Sequence, residues 1–149
     1  MILIRKADVN DALFIIEFQK MMAWETERLM LRDDLITEGV KAVFRDKAKG
    51  QYYVAESGGK IIASLLITSE WSDWRNAFVW WFQSIYVLPS FRRQGVFKAM
   101  YRFVRDEALK NNIAGLRLYV EKNNIAAQKA YEKLGMNSEH YSMFEWLKE

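Results

Sequence analysis

The run Val87-Leu88-Pro89-Ser90-Phe91-Arg92-Arg93-Gln94-Gly95-Val96-Phe97-Lys98 passes from an apolar strand through a basic, glycine-containing turn into residues with helical periodicity. Those residue types in that order build an anion site. The first turn of a helix leaves backbone N–H groups without intrahelical partners, and the aligned peptide dipoles place about half a positive charge there. A pyrophosphate fits such an end. Gly95, lacking a Cβ, allows close approach to the backbone, and Arg92 and Arg93 can add charge-assisted hydrogen bonds from the flank. Taken alone, the turn reads equally well as a solvated basic loop ahead of a core-packing helix.

A later segment, Leu118-Tyr119-Val120-Glu121-Lys122-Asn123-Asn124-Ile125-Ala126-Ala127-Gln128-Lys129-Ala130-Tyr131-Glu132-Lys133-Leu134-Gly135, reads as strand, Asn-capped helix and glycine stop. Together the two segments resemble the GNAT superfamily of N-acetyltransferases. The superfamily's cofactor motif is Arg or Gln, two residues, Gly, one residue, then Gly or Ala. Arg92 and Gly95 match it, and Phe97 stands at the small position. The later signature matches at Asn124, Ala127, Tyr131, Leu134 and Gly135.

The resemblance implies acetyl-CoA as cofactor. The backbone of Ile85, Tyr86 and Val87 would pair with the pantetheine amides like an extra strand. The turn of Arg92, Arg93, Gln94, Gly95, Val96, Phe97 and Lys98 would hold the pyrophosphate, with Asn124, Ala127 and Tyr131 completing the cofactor side. The chemistry implied is acetyl transfer from a thioester to an amine by direct attack. A lysine-like amine of pKa ~10.4 is mostly protonated near neutrality, so some group must accept a proton. The departing thiolate, whose thiol has a pKa of ~8.5, leaves more easily when protonated. Tyr131 occupies the position that supplies this hydrogen bond and is the expected general acid; by spacing alone it equally packs its helix beside Ala127 and Leu134. The backbone N–H of Tyr86 or Val87, on a bulged strand, is the expected donor to the developing oxyanion.

For the base, the strand before the turn offers only Gln83 and Ser84, neither useful at neutral pH. Glu121, just past Val120, is the candidate, with Glu25, Glu27 and Asp73 behind it; each also reads as a solvated surface carboxylate. A water chain can carry the proton instead, so no single carboxylate removal is expected to abolish turnover. The acceptor side is expected at Trp71, Asp73 and Trp74, together with Glu25 and Glu27, which follow the first helix in a segment that in this family commonly faces the acceptor. Aromatic walls with carboxylates suit a small cationic amine. The acceptor is therefore a small-molecule amine, or alternatively a peptide N-terminal or lysine amine. A catalytically idle acyl-CoA-binding module of the same fold is a further reading.

The elements that must position these residues follow from periodicity. Asp8, Asn10 and Asp11 can cap a helix ending near Met22; a second helix starts at Asp33 or Asp34 and stops before Gly50. Strand-like runs at Tyr52–Glu56 and Lys60–Trp71 flank Ser57-Gly58-Gly59, a hairpin signal. A long strand spans Ala77–Val87, and the helix after the basic turn buries Val96, Met100, Phe103, Val104 and Ala108. A strand at Gly115–Val120, the Asn-capped helix and one or two short strands within Met136–Trp146 complete the order β-α-α-β-β-β-α-β-α-β. This predicts an α/β domain with a mixed, mostly antiparallel sheet, splayed, by the family resemblance, at the cofactor cleft.

The 149 residues are expected to form one domain, 1–149. The net charge of +3, from 22 basic and 19 acidic residues, is too small to call for a nucleic-acid partner and suits an anionic cofactor. With no cysteine and a single histidine, His140, neither a thiolate nucleophile nor a zinc site is expected, and no metal is predicted. Met1–Lys6 reads as a strand rather than a signal peptide, and no apolar run is long enough for a bilayer, so no membrane association and a cytoplasmic location are expected. A homodimer is a further expectation from the family resemblance.

Overall fold

Gly58 and Gly59 lie between two apolar runs and take φ of 57° and 78°, the pair of positive angles that a two-residue type I′ turn requires. They join β2 (Gln51–Ser57) to β3 (Lys60–Ser72), with Ser57 opposite Lys60. β4 (Ala77–Val87) follows β3, and β1 (Ile2–Lys6) pairs with the other side of β2. Among these four strands every pairing is antiparallel. The short β5 (Gly115–Arg117) lies parallel to β4, which gives one open mixed sheet in the order β1-β2-β3-β4-β5.

Two helices, α1 (Ala12–Glu27) and α2 (Asp33–Arg45), cover one face: Ile15, Ile16, Phe18 and Val40 pack on Tyr52, Val54, Ile61 and Tyr86. The other face receives α3 (Val96–Lys110), through Tyr53 against Phe103 and Phe82 against Phe97 and Tyr101. Val96, Met100, Val104 and Ala108 of α3 are buried as the periodicity requires. Each fully buried aliphatic or aromatic side chain contributes roughly 1.5–3 kcal/mol, so this double-sided burial is the main support of the sheet.

The computed structural model describes residues 1–149, which form two compact units, Met1–Arg117 and Leu118–Glu149. In the first, α1 runs to Glu27, past the expected stop near Met22. No glycine or proline interrupts it, and the chain leaves the helix only at Arg28, at φ 50°. Glu25 and Glu27 therefore belong to its last turn. Of the three expected caps, Asp8 accepts from the Asn10 N–H at 2.8 Å and Asp11 accepts from the Asp8 N–H at 2.8 Å.

In the second unit, α4 (Ile125–Lys133) is capped by Asn124, and Gly135 takes φ 92° beyond its end. β5 stops at Arg117, short of Val120, and Met136–Trp146 forms no strand. Within residues 118–149 the only regular element is α4, so the final strand of the expected order is not formed there. No helix is long and apolar enough to cross a membrane.

Candidate active site

β4 carries one residue more than its partner. Leu66 stands opposite Gln83 and Ser64 opposite Tyr86, so Leu65 alone faces Ser84 and Ile85. Ser84 absorbs the extra residue at φ 52°, making a β-bulge. The bulge also switches faces. Strict alternation would put Phe82 and Tyr86 on the same side of the sheet. Instead Phe82 meets α3, while the Tyr86 ring lies 5.4 Å from that of Phe18 on α1.

The Leu88 N–H donates to the Ile62 carbonyl at 2.9 Å, which makes Ala63 and Val87 a non-hydrogen-bonded pair. The N–H and C=O of Val87 therefore point away from β3. On that side the β4–β5 ladder ends at Trp81 opposite Arg117, so the last part of β4 keeps an edge with peptide groups turned outward. Of the three residues expected at this edge, Ile85 lies in the bulge, Val87 faces outward, and Tyr86 turns its peptide groups to β3. Val87 rather than Tyr86 is the residue with an N–H directed outward.

Past Val87 the chain makes a 3₁₀ turn, Pro89–Phe91, and reaches α3 through Arg93 at φ 62° and Gly95 at φ 78°. The Arg92 N–H is bonded to Pro89 O, and Ala99 makes the first intrahelical-type bond, to Gly95 O at 3.0 Å. The amides of Gln94, Gly95, Val96 and Lys98 have no acceptor within the chain. A Cβ at Gly95 would meet nothing within 4 Å, so packing does not demand glycine there; the left-handed backbone does, and the space beside it is open. The Phe97 ring packs on Phe82 at 6.0 Å and Tyr101 at 6.3 Å, which accounts for a large residue where the motif has a small one. Arg93 and Lys98 are exposed beside the turn.

Arg92 does something its position in the motif does not announce. Its Nη2 donates to Glu25 Oε2 at 2.8 Å, its Nε donates to Val87 O at 2.8 Å, and its guanidinium lies 5.3 Å from the centre of the Tyr86 ring. The Tyr86 hydroxyl donates to the other oxygen of Glu25 at 2.7 Å. Burial alone would raise the Glu25 carboxyl, but the hydrogen bonds from Tyr86 and Arg92, with the charge of Arg92, outweigh it and hold the group below the usual carboxylate range. Burial, and then the bond to Glu25, push the Tyr86 phenol up to about 12. Glu25 is thus an ionised carboxylate with both oxygens engaged, poorly suited as a base or as a free partner for an acceptor cation. Sequence pattern could not reveal this network, because Glu25 and Arg92 are 67 residues apart and the bulge that aims Tyr86 at α1 leaves no periodic signal.

The expected acceptor residues are not gathered in one place. Trp71 packs edge-on against Phe78 at 5.0 Å, Trp74 is 90% exposed, and Asp73 accepts from the Trp74 N–H at 2.9 Å. These three lie at the Ala77 end of β4, whereas Glu25 meets Tyr86 near the other end, roughly 25 Å away at the rise of an extended strand. Glu27 is exposed at the end of α1. Of the aromatic run in β4, Phe82 enters the core, while the Trp81 indole donates to Glu70 and Gln83 donates to Thr68 Oγ1.

In the second unit, Asn124 Oδ1 accepts from the Ala127 N–H at 3.1 Å, so both residues of the later signature serve the start of α4. Tyr131 sits in the last turn of this helix, and burial raises its phenol above the ordinary value. Glu121 is exposed just ahead of the cap, and its backbone oxygen accepts from Asn124 N–H and Gln128 Nε2.

A bulged strand with an outward edge, leading into an amide-lined helix start, is equipment for an enzyme that grips an extended, diphosphate-bearing cosubstrate. The sequence profile of the Acetyltransferase (GNAT) family matches residues 15–136, and the chain belongs to that family of N-acetyltransferases, which use acetyl-CoA. A possible acetyltransferase from Clostridium difficile 630 is 42% identical, with a TM-score of 0.90 over 99% of this chain and 98% of that one. A predicted acetyltransferase with acetyl-CoA from Clostridium acetobutylicum shares the fold at 20% identity and a TM-score of 0.77, over 97% of this chain and 96% of that one. So does AAC(6')-Iy in complex with the bisubstrate analogue CoA-S-monomethyl-acetylneamine, at 18% identity and a TM-score of 0.81, over 99% of each chain. No curated protein matches the chain.

Proposed function

We propose that residues 1–149 act as one catalytic domain that moves the acetyl group of acetyl-CoA onto the primary amine of a small molecule, in the cytoplasm. The observation that carries this reading is the set of unpaired amides at Gln94, Gly95, Val96 and Lys98, directly downstream of the outward edge of β4. Four main-chain donors at the positive end of α3 match a diphosphate, and the outward edge at the end of β4 suits an extended pantetheine arm. The structures of the two relatives bound to acetyl-CoA and to a bisubstrate analogue support the same assignment.

In this reading the Val87 N–H stabilises the oxyanion as the free amine attacks the thioester carbon. The new C–N bond forms, the C–S bond breaks, and Tyr131 gives its phenolic proton to the departing thiolate. Burial keeps the phenol neutral, so Tyr131 meets the thiolate as a hydrogen-bond donor. The engaged state of Glu25 leaves Glu121 or a water chain to take the proton of the amine. Glu27, and more remotely Trp71, Asp73 and Trp74, remain candidates for contact with the acceptor.

Calorimetry with coenzyme A, followed by thiol release from acetyl-CoA over a panel of small amines, peptides and proteins, tests the proposal. Saturable binding and amine-dependent release are expected. Binding without release from any acceptor would point to the idle acyl-CoA-binding module, and no binding at millimolar concentration would remove the enzymatic reading.

A further inference from the structure

The cation that begins the phosphate turn faces backwards. Arg92 reaches α1 through Glu25, holds the carbonyl of Val87, and lies over the Tyr86 ring, whose hydroxyl is bonded to the same carboxylate. Three elements thus converge on one guanidinium: the last turn of α1, the outward-facing end of β4, and the turn into α3. The contact to Val87 is the informative one. The carbonyl of Val87 is held by Arg92 Nε, and the N–H of the same peptide unit, that of Leu88, is held by Ile62 O, so the guanidinium and β3 together fix the end of the strand from which the Val87 N–H points outward.

We propose that Glu25 is a positioning residue for coenzyme A, acting through Arg92, and that Arg92 is a brace for the end of β4 and the turn into α3 rather than a ligand of the phosphates. The phosphates are then met by the unpaired amides, with side-chain charge from Arg93 and Lys98, both exposed beside the turn. The inference rests on the cofactor assignment above and adds to it the division of labour between two adjacent arginines.

The two roles for Arg92 predict opposite signs. If Arg92 were a phosphate ligand and Glu25 merely its counter-ion, Glu25→Gln would remove a competing negative charge and free the guanidinium, so coenzyme A would bind as well or more tightly. As a brace, Arg92 loses its anchor in Glu25→Gln, and affinity falls about tenfold, equivalent to ~1.4 kcal/mol. Arg92→Lys discriminates again. A phosphate accepts lysine as a point charge, whereas a link to Glu25 and Val87 O from one planar group needs the fork of arginine.

The experiment is calorimetric titration of coenzyme A into the full chain and into Glu25→Gln, Arg92→Lys, Arg93→Gln and the Glu25→Gln/Arg92→Lys double variant, with a melting curve for each. The expected result is a comparable loss of affinity in Glu25→Gln, Arg92→Lys and the double variant, because coupled residues are not additive. Arg93→Gln should weaken binding independently. Unchanged or tighter binding by Glu25→Gln, or wild-type affinity in Arg92→Lys, overturns the proposal. If Glu25→Gln does not fold, Arg92→Lys alone decides. Absence of binding by the wild-type chain would instead refute the cofactor assignment.

Discussion

Gly95 stands at φ 78° with open space beside its Cα, so Gly95→Ala leaves every packing contact in place. The substitution costs roughly 1–2 kcal/mol in backbone strain, visible as a lowered melting temperature. It also puts a methyl group beside the unpaired amides, and calorimetry should show coenzyme A binding weakened by about tenfold or more, since 1.4 kcal/mol is a factor of ten. Retained affinity would place the diphosphate elsewhere. Tyr131 calls for a different measurement. If its proton goes to the thiolate, Tyr131→Phe should lower turnover by about a hundredfold with coenzyme A affinity nearly unchanged, because the acid acts after binding. A loss confined to affinity would make Tyr131 a packing residue. At this scale the sequence was informative about main-chain chemistry and much less so about side-chain partners. Gly95 and the helix start could be read from residue type, because they depend on neighbours in the chain. The engagement of Glu25 could not, because its partners Tyr86 and Arg92 are 61 and 67 residues distant.

β4 shows how an element can be located correctly and still misread. Its limits, Ala77–Val87, are those its composition suggests, yet the bulge at Ser84 and Ile85 moves Tyr86 to the α1 face and turns the peptide of Val87 outward. A serine at φ 52° pays the left-handed penalty that glycine avoids. Ser84→Gly should therefore leave coenzyme A binding intact and match or exceed the wild-type stability, by up to about 1 kcal/mol. A clear destabilisation in a urea titration would mean that the Ser84 side chain, rather than the backbone angle, holds the bulge. The hairpin at Gly58 and Gly59 was legible because its turn type demands two positive angles. The end of α1 was not, since no residue from Met22 to Glu27 is a helix breaker and only the left-handed Arg28 stops it. The spacing of the expected acceptor residues was not legible either: Trp71, Asp73 and Trp74 lie at the Ala77 end of β4, a strand's length from Glu25.

Across the first unit, stability and acidity meet at Arg5, whose Nη1 and Nη2 fork onto Asp11 at 2.7 and 2.9 Å while Nη2 also reaches Glu56 at 2.8 Å. This cluster ties β1 and β2 to the start of α1. Asp11 is buried, and the hydrogen bonds from Arg5 prevail over burial to hold its carboxyl below the usual range. A carboxyl depressed in the folded state stabilises the fold above its unfolded pKa of ~3.9, and that contribution is lost as pH falls through the lower folded value. Asp11→Asn should thus cost roughly 1.5–3 kcal/mol at neutral pH, with the gap to wild type narrowing below about pH 4. Urea midpoints at several pH values check this, and a gap independent of pH would assign the loss to packing. The link between Glu25 and Arg92 has a consequence for assembly as well. Because the carboxylate stands on α1 while both of its donors stand on β4 and the loop after it, the network is complete only when those elements have docked, and any loosening of α1 is felt directly at the coenzyme-binding loop.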